Sequence, residues 1–373
     1  MVLFKTALLR ALALATPLMA SPLSGVEKRG ISLIPRQEDD TMPPLPERAQ
    51  DEAPALFAGD NEIQQIAWFG ERPSYRRDGR KLAFMSKSYG DVFEMDLRTQ
   101  RLKLLTGWAH AGFLRAQYLV NGDLLLIGAK EFRGVAETRE SDMQFWVLHP
   151  GDRSATAIDQ KLFEGVAISI NDNKIAWSNS HGQYPDEIEE GETVIYTGEI
   201  DYSTGEPKII NKQEIIRDYG PDCILEPQDF FNNDTELTYT CYSTDPVFHY
   251  GWLESVNLET RERTVLRRKE GTYLEFEGIF PNEQYSLVEA DISTKLDEDG
   301  NSRSSVAGTE IYMMGMESGS TYWRRLTWFS QEFPWKAGNP VMSPDGRTMA
   351  VHSSRSDQPA GVGYGMYLVD IDY

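Results

Sequence analysis

The sequence predicts an all-β chain folded as a six-bladed β-propeller closed by an N-terminal strand in the last blade. Three observations carry this reading. A turn of Asp, Asn, Gly or Pro recurs six times, at Asp78-Gly79, Asn121-Gly122, Asp172-Asn173, Asn233-Asp234, Pro281-Asn282 and Asp345-Gly346, and each is followed at once by a β-rich run. Those runs are KLAFMS, DLLLIGA, KIAWSN, ELTYTCYS, QYSLVEA and TMAVHSS. Third strands follow as VFEMDL, QFWVLH, TVIYTGEI, WLESVNL, EIYMMGM and MYLVDI, but the last unit ends at Tyr373 without a fourth strand. The segment Asn61 to Phe69, NEIQQIAWF, precedes the first repeat and is similar to the other fourth strands, above all Tyr322 to Phe329. Placed in the last blade, with Ile63, Ile66 and Trp68 facing inward, it removes the open edges that a linear array of sheets would expose.

The last unit shows the local chemistry most clearly. A short strand ends at Met342, the turn Ser343-Pro344-Asp345-Gly346 follows, and strands Thr348 to His352 and Met366 to Asp370 flank a Gly-rich loop. Pro344 presets φ at the second turn position and Gly346 accepts positive φ, so this turn is specified by its own residues.

Ahead of the repeats the chain reads as processing signals and an arm. Residues 1–20 carry Lys5 and Arg10, an apolar run and small residues around Ala20-Ser21, the pattern of a secretory signal peptide. Residues 21–29 read as a propeptide ending in Glu27-Lys28-Arg29, which resembles a dibasic site cut by kexin-type proteases. Residues 30–58, rich in Pro and acidic side chains and without period, read as a disordered or arm segment, and 59–373 as the propeller.

Composition bounds function. The 373 residues carry 37 basic and 58 acidic side chains, a net charge of -21, which removal of residues 1–29 takes to -24. Such a surface repels nucleic acid and anionic membranes, and no later apolar run approaches the ~20 residues that cross a bilayer. A monomer released from the cell is expected.

Two stretches resemble a known family. RPSYRRDGRKLAFMSKSYGDVFEMDL and NPVMSPDGRTMAVHSSRSDQPAGVGYGMYLVDID are similar to the repeat of TolB-like six-bladed β-propellers, with its Pro, SPDG-type turn, apolar strand and short strand ending in Asp. As a whole the chain resembles secreted fungal members of that group. The resemblance implies the architecture and no catalytic residue, because such propellers include binding modules, peptidase gating domains and polysaccharide lyases.

The common chemical motifs are absent: no GxSxG elbow, no HExxH, no Walker loop. The stretch LDEDGN, 296–301, fails calcium-loop spacing, since Lys295 and Val306 occupy the terminal ligand positions. Histidine placement is the remaining hint. His110 falls in a loop from a fourth strand to the next blade, and His181, His249 and His352 fall in or beside loops from second to third strands, with Arg355 and Asp357. Both loop types open on one face, so these six residues are the ligand-binding candidates, and no metal set or cofactor is assigned. Trp68, Trp108, Trp252 and Trp335, near strand ends, suit either stacking on sugar rings or packing between blades. Cys223 and Cys241 are equidistant from residue 232, so a hairpin turning there sets them opposite each other. In an oxidising compartment they pair, and closing 17 intervening residues contributes about 3 kcal/mol by loop entropy. Asn233-Asp234-Thr235 is a glycosylation acceptor within that turn.

Two functions fit. One is a secreted binding propeller for a protein, glycan or small-molecule partner on the loop-bearing face. The alternative is an enzyme, such as a lyase acting on an acidic oligosaccharide or small metabolite in the central funnel, with a histidine as base and Arg355 holding a carboxylate. The processing signals are directly testable. N-terminal sequencing of the protein from culture fluid should begin at Gly30, or near Ser21 if the dibasic site is protected, whereas a chain retaining Met1 there contradicts this route.

Overall fold

The computed structural model describes residues 63–219, 223–243, 251–269, 272–292, 308–331, 334–356 and 361–373. The leader, propeptide and arm fall outside these residues, as do His249, Asp357 and the acidic stretch 296–301. The chain forms six antiparallel sheets of four strands, a six-bladed β-propeller.

Strand β1 (Ile63–Ala67) stands apart in order. The first sheet is β2 (Glu71–Tyr75), β3 (Lys81–Met85), β4 (Val92–Asp96) and β5 (Arg101–Leu104). The second is β6 (Phe113–Tyr118), β7 (Leu124–Ala129), β8 (Met143–Leu148) and β9 (Thr156–Lys161). The third is β10 (Val166–Ile168), β11 (Lys174–Ser180), β12 (Glu192–Asp201) and β13 (Lys208–Tyr219). The fourth is β14 (Ile224–Phe231), β15 (Glu236–Tyr242), β16 (Gly251–Asn257) and β17 (Arg263–Arg267), and the fifth is β18 (Leu274–Ile279), β19 (Tyr285–Ala290), β20 (Glu310–Gly315) and β21 (Trp323–Arg325). The sixth takes β22 (Trp335–Met342), β23 (Thr348–Arg355) and β24 (Gly365–Asp370), and its outer strand is β1.

Turn chemistry sets these hairpins. Gly79 and Gly346 adopt φ of 68° and 75° and donate N–H to the carbonyls of Arg76 and Ser343 at 2.8 and 2.9 Å. The Ser343 hydroxyl donates to the Asp345 carboxylate at 2.6 Å and accepts from the Thr348 N–H at 3.0 Å, so the SPDG turn satisfies its own polar groups. In the fourth sheet Asn232, Asn233 and Asp234 take positive φ of 51°, 55° and 60°, a conformation that Asn and Asp tolerate best among residues with a Cβ.

Six apolar clusters lie between neighbouring sheets. Phe145 and Trp177 join the second to the third, Ile195 and Leu237 the third to the fourth, Leu253 and Phe276 the fourth to the fifth. Phe280 and Val351 join the fifth to the sixth, Ala83 and Leu126 the first to the second, and Ile66 and Met366 with Leu82 and Phe84 the sixth to the first. Large buried aromatics dominate, each removing ~150–250 Å² from water.

Three expectations need correction. In β1 the register against β24 shifts between Gln65 and Ala67, so Ile66 and Ala67 are both buried, Ile63 is half-buried and Trp68 turns outward, 39% exposed. The fourth strand expected over Tyr322 to Phe329 is only Trp323–Arg325; the chain then leaves the sheet and plants Leu326 and Phe329 in the core. Cys223 and Cys241 do form a disulfide, with Cα atoms 4.8 Å apart, but not as directly opposed residues. Cys241 faces Leu225, because Phe231 pairs with Glu236 and the hairpin therefore turns between Asn233 and Asp234 rather than at residue 232, so the bridge runs diagonally.

Candidate functional site

The first strand of each sheet borders a central channel, and polar residues on these strands meet across it. A cavity of about 400 Å³ occupies the end where first and second strands are joined, bordered by residues of all six sheets. Its walls are mixed, with Ile168, Ile279, Phe280, Val341 and Met342 beside Ser74, Gln117, Ser169 and Asp229, and its inner end is polar, from Arg72, Arg115, Gln228, Glu277 and Asn339. Val120, Ile170, Pro281 and Pro344 surround its mouth.

Deeper in, charges crowd together. Arg72 pairs with Glu164 at 3.0 Å, Arg115 reaches Glu226 at 3.5 Å, and Arg139 also pairs with Glu164. Arg139 arrives on a helical turn in the β7–β8 connection (Val135–Glu137, then Thr138–Asp142), fastened by the Tyr89 hydroxyl donating to the Val135 carbonyl at 3.1 Å and by the Gln183 amide donating to that of Glu140. Nε of both Arg72 and Arg115 is buried without a hydrogen-bond acceptor. Glu275 and Glu277 alternate along β18 with Leu274 and Phe276, which pack between sheets, and Glu289 faces Glu275 across the β18–β19 ladder. Oxygens of these three carboxyl groups lie within 4.8 Å of one another.

Like charges confined away from water keep protons. Burial, with repulsion from Glu226 and Glu289, pushes Glu275 up to about 8, and burial with repulsion from Glu275 raises Glu277 well above the usual carboxylate range. Burial likewise pushes Asp229 and Asp291 up to about 7. Lys336 is lowered by burial, against the pull of Glu289 and Glu275.

The sequence-derived candidates within the described residues each have local partners or burial of their own. His110 is locked in place: Nε2 lies 3.0 Å from Asp91 Oδ1 and 3.1 Å from the Thr106 carbonyl, while Nδ1 accepts the Gly112 N–H at 2.9 Å. His181 Nδ1 sits 2.8 Å from the Ile188 carbonyl. Arg355 lies over the Trp335 ring at 5.1 Å and the Tyr364 ring at 5.9 Å. His352, expected beside a loop, is inside β23, 5% exposed, and burial with the nearby charges of Arg72 and Lys336 holds its pKa down to about 3. No hydrogen bond or ring contact among the described residues joins any two histidines.

Sequence reasoning missed the channel acids and bases. Alternation of Glu with Leu and Phe in LEFEGI reads as one wet and one dry face, and only the placement of β18 as an innermost strand turns the polar face toward other strands. A second groove of about 660 Å³ beside the first two sheets is less suited to a ligand, because its Arg76 and Lys81 already pair with Asp78 and Glu94.

No family model and no curated sequence matches the chain. Among solved structures it is similar to TolB from Acinetobacter baumannii, with a TM-score of 0.49 and 10% identity over 83% of this chain and 63% of that one. It is similar to a TolB-type protein from Agrobacterium tumefaciens, with a TM-score of 0.48 and 14% identity over 76% and 98%. It is also similar to an oligogalacturonate lyase in complex with manganese, with a TM-score of 0.51 and 11% identity over 89% and 97%. At 11% identity the likeness to the lyase, with a TM-score above 0.5, is a likeness of fold alone. This chain spans less than two thirds of the Acinetobacter protein's length.

The channel protons fix the pH dependence of stability. Asp229, Asp291 and Glu275 hold protons in the folded chain up to about pH 7, 7 and 8, whereas the unfolded chain releases them near 3.8, 3.8 and 4.5, so stability falls as pH rises through that window. His352 acts oppositely, costing stability as pH drops from 6.5 towards 3, but one imidazole is outweighed by three carboxyl groups. The melting temperature should therefore be higher at pH 5 than at pH 8, by on the order of 5 °C. Asp229→Asn should flatten the slope. An equal or higher melting temperature at pH 8 contradicts protonated channel acids.

Proposed function

We propose that this chain is a secreted binding propeller that takes a small organic ligand, with an apolar body and a carboxylate or carbonyl head, into its central channel. The observation that carries the reading is the 400 Å³ cavity with an apolar stretch of wall and a polar inner end. Concave apolar sites with a few convergent polar groups are the usual form of a small-molecule site. Arg72 and Arg115 bring positive charge to that end, which suits an oxygen-bearing head. This reading moves the ligand away from the histidine-bearing loops to the opposite mouth of the channel. The Cys223–Cys241 bridge supports an oxidising compartment, in keeping with the leader-like N-terminus and with Asn233 as a glycan acceptor.

The test is a thermal-shift screen of small carboxylates and their neutral esters and amides, repeated on Gly278→Leu. Gly278 lines the cavity, and a Cβ there meets nothing closer than 3.8 Å, so a side chain can begin at this wall without a clash. Ligands that raise the melting temperature of the native protein by several degrees should have no effect on the variant, a loss equivalent to about 2–3 kcal/mol of linkage at 100-fold saturation. Undiminished shifts in Gly278→Leu would place binding elsewhere.

A further inference from the structure

The inner end of the cavity is shaped by a backbone feature that recurs around the ring. In five of the six sheets the register of the first strand against the second shifts: between Glu71 and Ser74, Phe113 and Arg115, Pro227 and Asp229, Phe276 and Gly278, and Gly338 and Val341. Bulges of this kind re-aim side chains and are common beside functional sites. In or next to each stands a polar residue of the cavity, Arg72, Arg115, Asp229, Glu277 or Asn339. Arg72 and Asn339 hold φ of 54° and 43°, which costs free energy in a residue with a Cβ. The third sheet, with a regular ladder, supplies apolar Ile168 instead.

The charges at these bulges are sorted by side. Arg72 and Arg115 belong to the first and second sheets, Asp229 and Glu277 to the fourth and fifth, and in a ring of six the fourth sheet stands opposite the first and the fifth opposite the second. Arg72 donates one side-chain hydrogen bond to Glu164 at 3.0 Å and Arg115 one to Glu226 at 3.5 Å, and a guanidinium fork has donors to spare after one such bond. Asp229 and Glu277 are half-buried, and no ion pair among the described residues engages either. The Asn339 amide donates to Glu277 Oε1 at 2.8 Å and fixes its orientation. On their own both carboxyl groups keep protons, since burial, and for Glu277 also repulsion from Glu275 and Glu289, outweighs the pull of Arg115. An ammonium group beside them supplies the missing counter-charge, and the proton it displaces leaves to solvent.

We propose that the ligand of this cavity is a short peptide with apolar side chains, bound as a zwitterion with its carboxylate on Arg72 and Arg115 and its ammonium group on Asp229 and Glu277. The inference rests on the ligand reading above and narrows it to one chemical class. A free α-amino acid carries both charges on one carbon and cannot set them on opposite walls, whereas a peptide separates them by the length of its backbone. The apolar stretch from Ile279, Phe280, Val341 and Met342 receives the side chains.

The test is calorimetric titration of the full-length mature protein at neutral pH with leucyl-leucine, leucyl-leucyl-leucine, the deaminated analogue isocaproyl-leucine and the carboxyl-blocked leucyl-leucinamide. At least one of the two peptides should bind at least tenfold more tightly than isocaproyl-leucine, which lacks only the ammonium group, and at least tenfold more tightly than leucyl-leucinamide, which lacks the carboxylate. Asp229→Asn should remove most of the preference for the peptide over isocaproyl-leucine. The four ligands are compared on the native protein, so they decide the matter if that variant fails to fold. Isocaproyl-leucine binding as tightly as the peptides overturns the proposal and leaves the carboxylate reading standing, and an undiminished preference in Asp229→Asn, or leucyl-leucinamide binding as tightly as the peptides, overturns it too. Absence of binding by all four overturns both readings.

Discussion

The antiparallel pairing of β1 with β24 is the interaction on which the rest of the structure depends. Ile63, Gln64 and Gln65 stand opposite Val369, Leu368 and Tyr367, so a strand from the start of the described chain completes the sheet at its end. That sheet presents Ile66, Ala67 and Met366 to Leu82, Phe84 and Met95 of the first sheet, and β1 supplies two of the buried members of that cluster. A propeller's channel is defined by the relative positions of its innermost strands, and those are held by the clusters between sheets. The polar groups that meet in the channel are therefore consequences of a contact formed at its periphery.

Inside that ring, electrostatics runs against the intuition that buried charges must pair. Arg72, Arg115, Arg139 and Lys336 face more carboxyl groups than they can neutralise: Glu164, Glu226, Glu275, Glu277 and Glu289, with Asp229 and Asp291 nearby. Burial with mutual repulsion raises Glu275 and Glu277, and burial raises Asp229 and Asp291. The same chain carries a net charge of -21 overall. Surface repulsion and channel repulsion both ease as pH falls, so the fold is suited to an acidic medium. A ligand with an oxygen-bearing head is a further partner for the arginines at the inner end of the cavity.

Much of the architecture was legible because it is local. The six turns are written in Asp, Asn, Gly and Pro whose backbone preferences hold in any context, and the strands after them are where their β-rich runs place them. Register was less legible: the hairpin turns between Asn233 and Asp234 rather than at 232, which takes the cysteines out of direct opposition, and a shift at Gln65 exchanged Trp68 for Ala67 in the core. Bulges depend on how a strand must twist to meet its neighbours, which no short stretch of sequence encodes. The channel site was least legible, since Glu275, Arg115 and Lys336 are far apart in sequence and each reads singly as a solvated residue on a strand. His352 was noticed for its side chain and misplaced, because the run TMAVHSSR continues three residues past it as strand rather than opening into a loop.

The most direct measurement is a pair of melting curves on secreted truncations that begin at Gly59 and at Gly70. The first lacks only the leader, propeptide and arm, and should melt with the full-length mature protein. The second also lacks β1, which strips Ile66, Ala67 and part of Ile63 from the core and bares the edge of β24. It should lose on the order of 4 kcal/mol, enough to unfold a domain of ordinary stability or lower its melting temperature by about 10 °C. Indistinguishable curves for the two truncations would contradict a ring completed by β1, and with it the account of the channel.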